Sequence, residues 1–382
     1  MRPRNPAYDA LATYPFVRLE DAKRAAAERG LRILDFGMGD PQERTPERIR
    51  RALLESVPDR ASYPPAAGLP QLRRAMAAWV ERRFGVRLDP DLQILPSNGS
   101  KEAVYLLHQS VVDPRGARRI VWIPDPAYPV YEIGARFAGG IPEPLPLLES
   151  RGFLPDLDAI PPEQWRRTAL LWLNYPNNPT GAVAGLDLYE KALALAREHG
   201  FWVASDEAYS ELWFDQPPAG AIQAGIEGLV VLNTLSKRSA MTGYRSGLIA
   251  GDPELIRLLR MVRPSQGVAT PLFVQGAAIA AWEDEAHVAE QRRLYQEKRD
   301  VLLPVLRRKG IRVAGSDATF YLWFQVPGGR ASEAFAAWLL ESGIVVTPGS
   351  YFGARGEGYA RMALVPTLEL CREAAALLEK LL

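Results

Sequence analysis

Between about residues 90 and 250, short apolar runs alternate with helical patterns, and each run stops at a polar or glycine-containing turn. The runs fall at 120–123, 169–173, 202–204, 229–232 and 246–250. This rhythm belongs to βαβ units and predicts a mainly parallel sheet covered by helices. In such open α/β sheets a ligand binds beyond the carboxyl ends of the strands. The polar residues that directly follow the runs are therefore the first candidates for a site.

After residue 283 the pattern changes. A long charged helix, AHVAEQRRLYQEKRDVLLPVLRR, precedes ATFYLWFQV, a further helix, GIVVTP, YARMALVP and a closing amphipathic helix. This predicts a smaller α+β unit completed by the N-terminal segment, with boundaries of 46–282 for the large unit and 1–45 plus 283–382 for the small one. Composition excludes several function classes. With 46 Lys+Arg against 45 Asp+Glu there is no basic footprint for nucleic acid or an anionic membrane. The single cysteine, Cys371, forms no intramolecular disulfide, and His108, His199 and His287 have no metal-ligand spacing. The N-terminus lacks the apolar core of a signal peptide. A long uncharged stretch, 264–282, is interrupted by Pro264, Gly267, Pro271 and Gln275, a poor membrane span. A cytoplasmic protein is expected.

Four segments at predicted strand ends carry the chemistry. In LPSNGSKEAVYLL, the turn Ser97-Asn98-Gly99-Ser100 opens a helix whose free N–H groups either are simply capped or hold an anion such as phosphate. LWLNYPNNPTG ends a buried strand in an Asx-type turn containing Asn178. In VASDEAYSELWF, Asp206 closes an apolar strand and Tyr209 follows three residues later. A carboxylate there needs a cation or donors, either in a structural salt bridge or in a site. In NTLSKRSAMTGYRSG, Lys237 follows the hydroxyls of Thr234 and Ser236, with Arg245 eight residues on. Such a lysine is either a solvated surface charge or a desolvated nucleophile. The chain has only seven lysines, so lysine chemistry has few candidates.

Together these segments supply a phosphate cradle, a lysine, a buried acid and a phenol. That is the group set a pyridoxal phosphate site needs: lysine for a Schiff base, acid for the ring nitrogen, anion binding for the phosphate. Rival motifs are missing. GMGDPQ (37–42) lacks the third glycine of a dinucleotide fingerprint, no Walker sequence occurs, and no histidine lies near a nucleophile elbow.

With YPPAAGLPQLR, PSNGSKE, DPAYPVYEIGARFAGG, LWLNYPNNPTG, SDEAYSELWF, SKRSAMTGYRSGLIAG and YARMAL in this order, the chain resembles the class I/II aminotransferases of fold-type I pyridoxal-phosphate enzymes over nearly its whole length. Within them it looks most like the N-succinyldiaminopimelate and diaminopimelate aminotransferases. The resemblance implies an α/β fold with a mainly parallel seven-stranded sheet in the large domain, a smaller α+β domain, and pyridoxal 5'-phosphate as cofactor. It implies that Lys237 forms the Schiff base and shuttles a proton, and that Asp206 holds the ring nitrogen protonated. Tyr209 and Asn178 bond the ring's 3-oxygen, and Tyr128 stacks on the ring. The phosphate goes to the turn at Gly99, the main-chain N–H groups of Ser100 and Lys101, the hydroxyls of Thr234 and Ser236, and Arg245. Tyr63 reaches the partner subunit's phosphate, which implies a homodimer. Arg361 grips the substrate α-carboxylate, with Gly39 closing over it and Asn178 beside it.

For a distal substrate carboxylate the residues leave Arg263, Arg18 and Lys101 open, and Tyr14, Phe16 and Arg18 are expected at the entrance or packed in the small domain. The implied activity is ping-pong transfer of an amino group between an amino acid and a 2-oxo acid. Succinyldiaminopimelate with glutamate is the first expectation, in lysine biosynthesis; free diaminopimelate, aspartate or aromatic substrates are alternatives. A β-lyase using the same site is a second reading. A pyridoxal-phosphate-binding regulator is a third, disfavoured because few residues precede residue 63 to build a DNA-binding domain.

Overall fold

The computed structural model describes residues 5–10 and 15–382; Tyr14 lies outside them. A two-residue strand, β1 (Leu34–Asp35), precedes a sheet of seven strands. These are β2 (Ile94–Ser97), β3 (Ile120–Asp125), β4 (Ile141–Pro146), β5 (Thr168–Asn174), β6 (Trp202–Asp206), β7 (Leu229–Thr234) and β8 (Gly247–Gly251). Their order across the sheet is β2-β8-β7-β6-β5-β3-β4.

Strands β3 to β7 pair in parallel, whereas β8 is antiparallel to both of its neighbours, β7 and β2. The run at 246–250 is thus not one more parallel strand. Only the short helix Leu235–Arg238 and a 3₁₀ turn, Thr242–Tyr244, separate it from β7, and neither is a crossover helix of the kind a parallel connection uses. The reversal has a functional consequence. Two antiparallel pairings make β2 parallel to β7, so the carboxyl ends of β2, β5, β6 and β7 meet the entry to β8 on one edge. Strand β4, IPEPLP, has no apolar run to announce it. Its three prolines are tolerated because it is the sheet's edge, paired only with β3.

Both faces of the sheet are covered, which accounts for the unbroken apolar stretch of β5. Leu171 and Leu173 pack on one side with Trp79, Leu188 and Trp282. Leu170 and Trp172 pack on the other with Val104, Leu107 and Ile256.

The C-terminal part adds β9 (Val313–Gly315), β10 (Tyr321–Gln325), β11 (Ile344–Val345), β12 (Thr347–Pro348) and β13 (Tyr359–Ala363). Strands β12-β13-β10-β9 form an antiparallel sheet, and β11 pairs in parallel with β1. The expected long helix is Ala286–Arg308 and the closing helix is Leu368–Leu381. The core they share, including Leu302, Leu306, Leu322, Met362 and Leu378, also takes in Leu34 and Phe36. Within this sheet Arg361 lies between Trp323 of β10 and Thr347 of β12. No helix among the described residues is long and apolar enough to cross a membrane.

Candidate active site

A cavity of about 420 Å³ opens where the shared edge of the large sheet faces β10 and β13. Lys237, Asp206, Tyr209, Tyr128, Asn178, Ser100, Lys101, Thr234, Ser236, Arg245, Arg361 and Gly39 all line it. Residues separated by up to about 320 positions are brought together because four strand ends and the N-terminal segment converge there.

Lys237 extends from the short helix Leu235–Arg238 that caps β7. Its ammonium donates to the carbonyl oxygen of Gly39 and stands 5.6 Å from the centroid of the Phe320 ring. Burial pushes it down to about 8, against the attraction of Asp40 and assisted by the charges of Arg361, Arg245 and Lys101. The neutral amine is the nucleophilic form. A small aldehyde plus borohydride, offered to protein free of bound carbonyl compounds, is therefore expected to label Lys237 half-maximally near pH 8. Solvated lysines need a pH nearer about 10.4. Peptide mapping across a pH series reads the difference, and labelling of Lys237 only at the pH of the surface lysines would contradict this environment.

Asp206 ends β6. Its carboxylate accepts from the Tyr131 hydroxyl at 2.7 Å and from the Ala208 N–H at 3.2 Å. No basic side chain among the described residues pairs with it. Burial raises its pKa against those two donors, so the site holds a desolvated acid without a cation. Asn174, the last residue of β5, donates to the Asp206 carbonyl at 2.8 Å and accepts from the Asn178 N–H at 3.0 Å. It ties the two strand ends together. The Tyr209 hydroxyl lies 2.7 Å from that of Tyr321.

On the anion side, the Thr234 hydroxyl caps the short helix through the Ser236 N–H and donates to the Ser236 hydroxyl at 2.9 Å. Arg245 has φ 54° and donates to the carbonyls of Thr242 and Asn98. Gly99 has φ 77°, and a Cβ there would stand 2.5 Å from Nη2 of Arg245, so glycine lets the guanidinium reach the turn. The Lys101 ammonium lies 5.7 Å from the Tyr128 ring centroid and is pushed down by burial and by the charge of Arg245.

Arg361 is 2% exposed. It donates to Asn178 Oδ1 at 2.8 Å and to the Gly37 carbonyl at 2.7 Å, while its Nε is buried without a partner. Its guanidinium lies over the rings of Tyr321, at 4.2 Å, and Phe352, at 4.6 Å.

Of the residues the sequence left open for a distal carboxylate, two lie away from the cavity. Arg263 does not reach the cavity: it is buried, paired with Glu102 at 2.8 Å and bonded to the Pro96 carbonyl. Glu102 in turn accepts from the Asn98 N–H, so Arg263 braces the anion turn; a desolvated guanidinium needs such partners. Arg18 is half-exposed and pairs with Glu333 over Tyr351. Of the three distal candidates, only Lys101 faces the cavity, together with Phe16 from the entrance segment. The histidines yield a hydrogen-bonded row that the sequence did not suggest: His287 joins Asp284 at 3.0 Å and Ser239 at 2.8 Å. Ser239 is fully buried, so the row braces the lysine-bearing turn against the helix Ala286–Arg308. Tyr63 lies outside the cavity and is fully exposed.

Sequence reasoning passed over Tyr131, Asn174, Asp40 and Tyr321. Tyr131 is three residues after Tyr128, in the first turn of the helix Val130–Phe137, and Asn174 lies within LWLNYPNNPTG. Tyr321 had no local signal, since ATFYLWF reads only as an apolar strand.

The family profile described as "Aminotransferase class I and II" matches residues 32–378. A protein named LL-diaminopimelate aminotransferase from Desulforudis audaxviator is 41% identical over 372 residues, covering 94% of this chain and 93% of its own. Among solved structures, an aminotransferase from Neisseria meningitidis superposes with TM-score 0.92 at 38% identity, covering 99% of this chain and all of its own. A probable N-succinyldiaminopimelate aminotransferase from Thermus thermophilus has TM-score 0.89 at 34% identity, covering 96% of this chain and 100% of its own. The fold and cavity are those of a fold-type I pyridoxal-phosphate enzyme. The chain belongs to the class I and II aminotransferases.

The residues fit pyridoxal 5'-phosphate on structural grounds alone. The buried Asp206 calls for a cationic partner of the kind a protonated ring nitrogen supplies. Arg245, Lys101 and two hydroxyls face one space suited to a phosphate. Lys237 adds a half-buried amine to the same cavity.

Proposed function

We propose that this aminotransferase acts on LL-diaminopimelate with 2-oxoglutarate and glutamate as the second pair, in lysine biosynthesis. The observation carrying the chemistry is the meeting of Lys237, Asp206 and Arg361 in one cavity. The substrate rests on the relatives: proteins 39–41% identical over 93–97% of this chain bear the name LL-diaminopimelate aminotransferase. The first expectation, a succinylated substrate, has support only from a structural neighbour's name.

In this reading Ser100 and Lys101 N–H groups, Thr234, Ser236 and Arg245 hold the phosphate, and Asp206 holds the ring nitrogen. Tyr209 and Asn178 bond the ring oxygen, and Tyr128 covers the ring face. The bound cofactor supplies an electron sink for the bond to the substrate α-hydrogen. Arg361 binds the α-carboxylate through its two-pronged guanidinium. The α-hydrogen is thereby aimed at Lys237, whose lowered pKa leaves a large share of the amine neutral near pH 8 and able to accept the proton. The sheet unit 46–282 carries the cofactor groups, and 1–45 with 283–382 forms a smaller unit that carries Arg361. Tyr63 completes the site of a second copy in a cytoplasmic homodimer; exposed Leu54, Val57 and Phe273 supply apolar surface for that contact.

The test is a half-reaction. Glutamate or LL-diaminopimelate added to loaded enzyme is expected to remove the visible absorption band with one equivalent of oxo acid formed. Ammonia or pyruvate release in its place would support a lyase and sink this reading. Comparison of kcat/KM for free and succinylated diaminopimelate decides the substrate, and a preference for the succinylated form would overturn it.

A further inference from the structure

Among the residues that line the cavity, Tyr321 has no part in the chemistry described so far. Its hydroxyl lies 2.7 Å from that of Tyr209, both phenols are buried, and no other hydrogen bond reaches the Tyr321 hydroxyl among the described residues. Each phenol has one proton, so two directions of donation are open to such a pair. We propose that Tyr321 is a positioning residue for this reaction: its hydroxyl donates to Tyr209 and so commits the one proton of Tyr209 to the ring oxygen of the bound cofactor. This inference rests on the role assigned to Tyr209 under the proposed function.

Two features select the direction. The Arg361 guanidinium lies over the Tyr321 ring at 4.2 Å, and a cation on that face draws electron density from the ring and makes its O–H the better donor. Burial raises both phenols and the Arg361 charge opposes it at both, ranking directly after burial at Tyr321 and behind the Tyr321 contact at Tyr209. The second feature is packing. Tyr321 is wedged between Phe320, at 4.8 Å between ring centroids, and the backbone of Gly39, where a Cβ would stand 2.2 Å from its hydroxyl. Held there, the hydroxyl has Tyr209 as its one acceptor among the described residues. The charged and titratable groups around the pair include Arg361, Asp206, Tyr131 and Tyr295, with Lys237 across the ring of Phe320. The arrangement also links the carboxylate site to the cofactor site, because Arg361 touches Tyr321, and Tyr321 touches Tyr209.

A ring oxygen that accepts from Tyr209 is stabilised as an anion, and the neighbouring nitrogen that joins Lys237 to the cofactor then holds its proton less tightly. Loss of donation must raise the pH at which the visible band of the loaded protein changes. Titration of that band by absorbance in wild type, Tyr209→Phe, Tyr321→Phe and the double variant tests the relay. Tyr209→Phe is expected to raise the transition by about 1–2 pH units, the loss of one hydrogen bond to a charged acceptor. Tyr321→Phe should raise it by roughly 0.1–0.6 unit, the cooperative part of that bond. Added to Tyr209→Phe it should change nothing further. An unshifted or lowered transition in Tyr321→Phe, or a shift that persists in the double variant, overturns the proposal. If Tyr321→Phe fails to load, 3-fluorotyrosine placed at position 321 is a more acidic donor and must lower the transition; no change or a rise overturns the relay. Absence of the band in wild type would remove the cofactor reading and the relay with it, whereas a normal wild-type band with an unshifted variant removes the relay alone.

Discussion

Replacing Lys237 with alanine is expected to abolish the visible band of the cofactor-loaded protein and to lower turnover on the order of 10⁴-fold or more. In the proposed reading the variant loses both the covalent attachment and the amine that moves the substrate proton. Its fold should persist, since the one hydrogen bond given up is to the Gly39 carbonyl. Lys101→Ala is the control: its ammonium faces the same cavity, yet its loss should leave the band in place and weaken cofactor retention. Absorbance, turnover and circular dichroism of the two variants separate the roles. A band that survives in Lys237→Ala and vanishes in Lys101→Ala would assign the chemistry to the wrong lysine.

Arg361→Ala should give the second large effect, and of a different kind. Removing one partner of a buried, hydrogen-bonded charge pair costs about 2–5 kcal/mol, so kcat/KM is expected to fall roughly 30- to 5,000-fold. The loss should fall mainly on KM, with the cofactor band intact, because in the proposed reading Arg361 holds the substrate and not the cofactor. Part of the cost is structural: Asn178 Oδ1 and the Gly37 carbonyl each lose a donor. Arg361→Lys restores charge without the two-pronged geometry and should recover only part of the loss. An unchanged KM for both amino acid and oxo acid in Arg361→Ala would remove this residue from carboxylate binding.

How much of this was legible in the chain depends on how local each signal is. Lys237, Asp206, Asn178 and Ser100 sit where an apolar run gives way to a polar turn, and that boundary is written in a dozen consecutive residues. Their grouping followed from one rule, that strand carboxyl ends share an edge in a parallel sheet. Arg361 and Gly39 became candidates only through family likeness, because β13 and the N-terminal segment carry no comparable local mark. Arg263 shows the opposite case. The sequence left it open among three distal candidates, and the structure takes it out: it ends the helix Pro253–Val262, where a guanidinium in the interior takes the nearest acid, and Glu102 lies beside it.

The antiparallel entry of β8, the buried Asp206 carboxylate held by Tyr131 and Ala208, and the phenol pair of Tyr209 and Tyr321 belong to the tertiary structure alone. Each depends on which elements lie side by side, and such contacts join residues as far apart as Tyr209 and Tyr321. The sequence by itself determined the alternation of strands and helices, the chemical groups at the strand ends and the absence of rival cofactor motifs, because apolar periodicity and turn chemistry act over a few residues. The direction of strand pairing, the desolvation that brings Lys237 down to about 8 and the partner of each buried charge were decided only when the chain closed on itself, because burial and Coulomb attraction act through space.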